Sequence, residues 1–452
     1  MGTLNYAILY SEGELGIAAF ISAGIFLFVF IAISFHLLHE TAAALLGAVG
    51  VFLVTYIWGT YNPALRLLTF EDAMAVVDWN VITLIMGMMI FMGLLADTKV
   101  FKWLAFQIYK KSKGNAWLIA VALISLTGFI SAFLNDVTAI LLIAPLSIQI
   151  ALAIGIPPFA IVIPEILASN IGGAATLIGD PPSTIVGSHI HLNFGEYMVN
   201  MAPVAIICMV ALIGVTWLFY GKDFSESKEK VSPALMEQME AESQITDYAT
   251  LSKALLIASL TMVGFFMTER MSQMPVGIVA ISGATFLIAW VRPDMTKMLR
   301  KVDWSTLIFF IGLFIVVGAM ESTGVIYWLA TRVASLAGDS VQRASMLTLW
   351  IAGIASGIIA NIPFTVAALP VADYLTSVIP SAAESKVIYW SLILGADLGG
   401  NATYLGSAPN IVAVGLLAQA GYRLSFGRFM RDGVPVTIMT LIIASIWLLI
   451  RY

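Results

Sequence analysis

Charge is what this sequence has least of. Asp, Glu, Lys and Arg make up 11% of its 452 residues, and apolar residues make up 60%. Soluble domains carry about 25% charged and 45–50% apolar residues. So little polar surface cannot cover a water-soluble body of this size, whereas a bilayer removes the need for cover. The single cysteine, Cys208, rules out a disulfide framework, a thiolate zinc site and a three-thiolate trap for a soft metalloid. Inside an apolar stretch it reads as a small core or lipid-facing residue. No P-loop, binding cassette or nucleophile motif occurs, which argues against an ATP-driven pump or a hydrolase; no enzyme activity and no cofactor are expected. There is no basic stripe of the kind nucleic-acid binding needs, so no nucleic-acid partner is expected. The first apolar run lacks a basic n-region and a small-residue cleavage site, and reads as a span rather than a signal peptide.

What is there in quantity is long apolar runs, at residues 17–34, 41–58, 81–95, 202–220, 254–267, 276–290, 306–320 and 436–450. Each approaches the ~20 residues that cross a bilayer, the shorter ones with help from their flanks. Four other regions differ. Residues 116–150 and 346–380 are each too long for one span and carry polar residues at their centres. Residues 164–186 and 391–414 are apolar segments interrupted by Gly- and Pro-rich polar runs. The only clearly polar stretch, 221–253, reads as a cytoplasmic linker that divides the chain into halves, 1–220 and 254–452.

The halves repeat each other. Asp78-Trp79-Asn80-Val81-Ile82-Thr83-Leu84-Ile85 matches Asp303-Trp304-Ser305-Thr306-Leu307-Ile308. At the same offset Gly87 meets Gly312, Gly93 meets Gly318 and Trp103 meets Trp328. Asn135 stands to the first hairpin as Asn361 does to the second, and Pro145 matches Pro370. Gly172-Gly173-Ala174-Ala175-Thr176-Leu177-Ile178-Gly179-Asp180-Pro181-Pro182 aligns with Gly399-Gly400-Asn401-Ala402-Thr403-Tyr404-Leu405-Gly406-Ser407-Ala408-Pro409. Duplication explains spacing and rare residues together.

Three spans, a polar-tipped hairpin, a broken span and a last span give each half five crossings, because a hairpin leaves on the side it entered. An odd number inverts the second half. The expected fold is an all-α polytopic membrane protein of two inverted five-span repeats, about 10 crossings in all, with two re-entrant hairpins and two broken helices. Placing 99–113, the linker, 292–301 and 423–431 in the cytoplasm puts 16 of 22 Lys and Arg inside, leaving Arg66, Arg270, Arg332, Arg343, Lys386 and Arg451. That satisfies the positive-inside rule and sets both termini outside an inner membrane.

Paired polar breaks in repeated halves point to a transport site near the midplane, since freed backbone groups must line protein or a wet cavity. The first hairpin tip offers Asn135, Asp136 and Thr138; the second offers Asn361 and Thr365. The breaks add Asn170, Gly172, Gly173, Thr176 and Asp180, then Asp397, Gly399, Gly400, Asn401, Thr403 and Asn410. The glycines would let a solute approach the backbone, although glycines in membrane helices also serve close packing. Asp136 stands out, because an ionisable group at mid-membrane is costly and functional by default. With Asp397 and Asp180 it is the candidate proton carrier or cation ligand; helix capping is the bland alternative for Asp136 and Asp180. Glu165, at the presumed cytoplasmic start of its span, reads as water-facing. Asp78 and Asp303, each before a Trp, read as structural. His36, His39, His189 and His191 lie at span ends, and no metal site is expected from them.

The run Ser169-Asn170-Ile171-Gly172-Gly173-Ala174-Ala175-Thr176-Leu177-Ile178-Gly179-Asp180-Pro181-Pro182, with Phe133-Leu134-Asn135-Asp136-Val137-Thr138-Ala139, resembles the ArsB/NhaD group of the ion transporter superfamily. That group holds arsenite/antimonite permeases, some sodium–proton antiporters and the melanosomal P protein. The resemblance covers nearly the whole chain and implies an elevator-like motion of hairpin-bearing domains. Related dicarboxylate transporters carry Ser-Asn-Thr at both tips, and this chain has neither.

The function expected is proton-coupled efflux of arsenite or antimonite, small neutral trihydroxy acids that suit Asn, Thr and backbone groups. A sodium–proton antiporter is the alternative. An organic-anion carrier ranks third, because no Lys or Arg lies in the four site segments. The expected partners are thus a small inorganic solute, a coupling ion (H+ or Na+) and membrane lipid. The sequence leaves an ATPase subunit and a homodimer open.

Overall fold

An apolar chain without water must pair its backbone groups internally, and a helix does so within one segment. In the computed structural model, which describes residues 15–35, 37–227, 233–268, 274–379 and 382–452, no strand occurs among the described residues. His36, Arg270 and part of the linker lie outside them.

The first half contains α1 (Ile17–Ser34), α2 (Glu40–Leu53), α3 (Trp79–Asp97), α4 (Val100–Lys111), α5 (Ala116–Phe133), α6 (Asp136–Ala153), α7 (Phe159–Gly173), α8 (Pro181–His189) and α9 (Phe194–Glu226). After α10 (Pro233–Ser243) the second half contains α11 (Tyr248–Met267), α12 (Val276–Val291), α13 (Trp304–Ser322), α14 (Val325–Ala337), α15 (Val341–Ile358), α16 (Asn361–Val378), α17 (Val387–Gly399), α18 (Ala408–Gln419) and α19 (Phe426–Arg451). The order of helices is the same in both. Nine helices among the described residues are long and apolar enough to cross a membrane, and the chain is an all-helical, multi-pass membrane protein. The polar linker is shorter than its composition predicts, because α9 continues to Glu226 and α11 begins at Tyr248.

Starts and stops follow local chemistry. Asp78 caps α3 by accepting from the Asn80 and Val81 amides at 2.9 and 3.1 Å, and Asp303 caps α13 by accepting from Thr306 N at 3.1 Å. Both are structural, as their position before tryptophan suggests. Ile206, Val210, Trp217 and Leu218 of α9 lie exposed, as lipid-facing residues do in a bilayer.

Packing couples the halves. The third helix of each half lies along the second helix of the other, α3 on α12 and α13 on α2. Gly87 and Gly312 permit this: a Cβ on either would come within 2.7 Å of Ala280 C or 2.9 Å of Ala44 C. Within each half the hairpin packs on its broken helix, α5 on α7 and α15 on α17.

Candidate functional site

The two breaks are built alike. After α7 the chain turns through residues 174–180 before α8, and after α17 through 400–407 before α18. Thr176 Oγ1 donates to the Ala132 carbonyl at the end of α5, and Thr403 Oγ1 donates to Gly357 O at 2.8 Å. Ser131 Oγ donates to Ser169 O at 2.7 Å, and Ser356 Oγ to Ala396 O at 2.5 Å. A helix end and a break leave carbonyls unpaired, and these hydroxyls satisfy them in matching places. Glycine lets the pieces meet: a Cβ on Gly172 would sit 2.0 Å from Gly128 O, and one on Gly399 2.3 Å from Gly353 O. The free face of both is therefore filled by protein backbone.

A cavity of about 350 Å³ reaches the hairpin tips, lined by Asn135, Asp136, Thr138, Asp180, Asn361 and Ser407 together with Glu40, Gly93, Lys301 and Asp303. Asn135 caps α6, its side chain accepting from Val137 N at 3.1 Å, and Asp136 is the first residue of that helix. Asn361 is likewise the first residue of α16, its backbone N donating to Gly406 O at 3.0 Å. The counterpart of Asn361 is thus Asp136, not Asn135, whose place is taken by Ala360. The sequence match fails there because Asn135 is the nearest like residue, while the Pro145 to Pro370 spacing carries the true register.

Asp180 precedes α8 without capping it. Its Oδ2 instead accepts from Asn361 Nδ2 at 3.3 Å, and its carboxyl interacts with those of Asp136 and Asp397 on either side. Asp397 accepts from Ser183 Oγ at 2.8 Å, and Ser183 accepts from Tyr197 OH at 2.7 Å. Asn170, in register with Asp397, donates to Asn401 Oδ1 at 2.7 Å and Asn410 Oδ1 at 3.0 Å. Asn410 in turn donates to Gly400 O at 2.8 Å and Thr403 O at 2.9 Å. One oxygen each of Asn170 and Asp397 is buried without a hydrogen-bond partner.

The residues expected to line one cavity therefore divide. Asn135, Asp136, Thr138, Asp180 and Asn361 line it. Thr176, Asn401, Thr403, Asn170 and Asp397 are buried and do not line it. Thr365 is also buried, donating to Asn361 O at 2.8 Å. Gly173 and Gly400 face their own turns: a Cβ on Gly173 would sit 2.9 Å from Asp180 Cβ, and one on Gly400 3.2 Å from Gly406 O. Sequence reasoning missed Ser407, legible as the repeat partner of Asp180, and Ser183, partner of Asn410. It also missed Lys301, whose ammonium pairs with Asp97 and donates to Gly93 O at 3.2 Å. Nothing local marks Lys301, because it comes from the loop before α13. Glu165 corrects an expectation. It is wholly buried within α7 rather than water-facing.

A second cavity of about 1050 Å³ is lined by Asp78, Asn80, His189, Glu321 and Pro370. Along α3, Asn80 stands at this cavity and Gly93 at the first; along α13, Thr306 stands at the first cavity and Gly318 at the second. The two helices thus run in opposite directions between the cavities.

Comparisons with known proteins agree with this architecture. Residues 25–395 match the family model described as CitMHS, citrate transporter. An uncharacterised transporter of Mycobacterium tuberculosis is 34% identical over 432 residues, covering 96% of this chain and 98% of its own. An uncharacterised transporter of Synechocystis is 29% identical, with 95% and 96% covered. The P protein of Sus scrofa is 28% identical, covering 98% of this chain and 60% of its own. The crystal structure of the YdaH transporter of Alcanivorax borkumensis has a TM-score of 0.60 at 14% identity, covering 91% of this chain and 98% of its own; it shares the fold. With these relatives and this helical core, the chain belongs to the CitMHS (citrate transporter) family and is a membrane secondary transporter, a carrier and not an enzyme.

Proposed function

We propose that the chain is a proton-coupled exporter of a small uncharged hydroxo solute, with arsenite and antimonite the first substrates to test. The observation that carries this reading is the composition of the 350 Å³ cavity: Glu40, Asp136, Asp180 and Asp303 line it against one cation, Lys301, itself paired with Asp97. A cavity so rich in acceptors complements O–H donors and protons. Asp136 reaches both the cavity and Asp180, so it is the coupling group, with Asp180 and Asp397 sharing the proton. A carboxyl group crosses a membrane with least cost as the neutral acid.

The halves are inverted repeats within an inner membrane, both termini outside. The opposite runs of α3 and α13 between the two cavities support this. So does the clustering of Lys and Arg on the side of Lys99–Lys113.

An organic-anion reading has its own support in Lys301 at the cavity wall and in the family's description. The free anion would meet four carboxylates there. A sodium–proton antiport reading draws on the unpaired oxygens of Asn170 and Asp397. The test is exchange in proteoliposomes under an imposed pH gradient, with arsenite, antimonite, sodium and citrate compared. Gradient-driven movement of arsenite or antimonite is expected. Movement of sodium or citrate alone overturns the proposal.

A further inference from the structure

Glu165 is a buried carboxyl that the cavity does not use. It lies in α7, wholly buried, and its one hydrogen bond is accepted at Oε1 from Ser147 Oγ of α6 at 2.5 Å. Its Oε2 is buried with no partner. Ser147 is eleven residues from Asp136 along α6, about 16 Å at 1.5 Å per residue, so the pair is separate from the cavity's aspartates.

Among the described residues, no cation on the helices around it pairs with Glu165. Neither α5 nor α18 carries an ionisable side chain, α6 carries only Asp136, and α17 only Tyr389 and Asp397. On α9 the ionisable groups are Glu196, Tyr197, Cys208, Tyr220, Lys222, Asp223 and Glu226. On α19, Arg431 pairs with Asp432 at 3.0 Å and the Arg428 guanidinium lies over the Phe159 ring at 3.6 Å. An ionised Glu165 would leave a bare negative oxygen in an apolar core, with nothing there to compensate its lost hydration. In the neutral acid, Oε1 is the carbonyl that accepts from Ser147 and Oε2 carries the proton, so no charge is left unpaired. Pro164 beside it leaves the Ala160 carbonyl without its helical donor.

The second half shows that packing does not require this pair. By the Gly172–Gly399 and Pro145–Pro370 registers, Leu392 holds the place of Glu165 and Ala372 the place of Ser147, both buried. The same helix contact closes there with apolar residues.

We infer that Glu165 is a second proton-binding site, on the first hairpin unit, holding its proton as a neutral acid with Ser147 as partner and independent of the transported solute. The test is infrared difference spectroscopy on the purified full-length protein, which needs no substrate. Wild type minus Glu165→Gln is expected to show a protonated-carboxyl C=O band at neutral pH. Ser147→Ala should move that band to higher frequency, because a carbonyl released from a hydrogen bond is stiffer. A difference spectrum with an ionised-carboxylate band instead overturns the inference. The double variant Ser147→Ala/Glu165→Leu, copying the second half, should fold with an unchanged or raised Tm and lack the band. If Glu165→Gln folds and the double variant does not, the pair is structural and the inference fails.

Discussion

Asp136 and Asn361 hold the same position, the first residue of the second helix in each hairpin, and both side chains meet Asp180. The two tips thus differ at this point by one ionisable group. Asp136→Asn makes them alike without changing shape. It should abolish pH-driven transport of the proposed solute, a loss of tenfold or more (about 1.4 kcal/mol or above), and spare exchange at equal pH. Retention of pH-driven flux with unchanged pH dependence would move the coupling role to Asp180 or Asp397.

Cavity lining predicts a labelling pattern. Cys208 is buried, so a Cys208→Ala background should be folded and silent. In it, cysteines replacing Asn135 and Thr138 should react with a small charged thiol reagent from one side of the membrane only. Cysteines replacing Thr176, Asn401 and Thr403 should stay unreactive, since their side chains are buried on backbone or neighbouring groups. Rapid labelling of Thr403→Cys in the resting protein would contradict the division.

Gly172→Ala should lower stability by about 1–3 kcal/mol, the usual cost of overpacking, because its Cβ would stand 2.0 Å from Gly128 O. Gly214→Ala is the control: nothing lies within 4 Å of its Cβ, and alanine in a helix gains roughly 0.5–1 kcal/mol over glycine. Thermal unfolding in one detergent decides it, with opposite shifts expected.

Asn170 bridges the halves through Asn401 and Asn410. Asn170→Ala leaves both acceptor oxygens without that donor and should cost about 1–3 kcal/mol. Hydrogen exchange should rise at both breaks together. A rise confined to residues 170–180 would mean the bridge carries no energy between halves.

Much of this architecture is legible in the residues. Hydropathy located the helices because a bilayer forces every backbone group to pair within its segment. The repeated Gly-Gly and Thr positions located both breaks, and Asp78 and Asp303 capped where a short acceptor before a helix should. Three things needed the tertiary structure. Glu165 looked water-facing beside Pro164, and only the packing of α7 shows it enclosed. Apolar neighbours in sequence do not distinguish lipid from core, so burial was invisible. Lys301 reaches the cavity from a loop far along the chain, and no local pattern marks such a meeting. Finally, which break residues face the cavity and which hold the breaks together depends on side-chain direction at helix ends. There the regular 3.6-residue period that orients side chains elsewhere no longer applies.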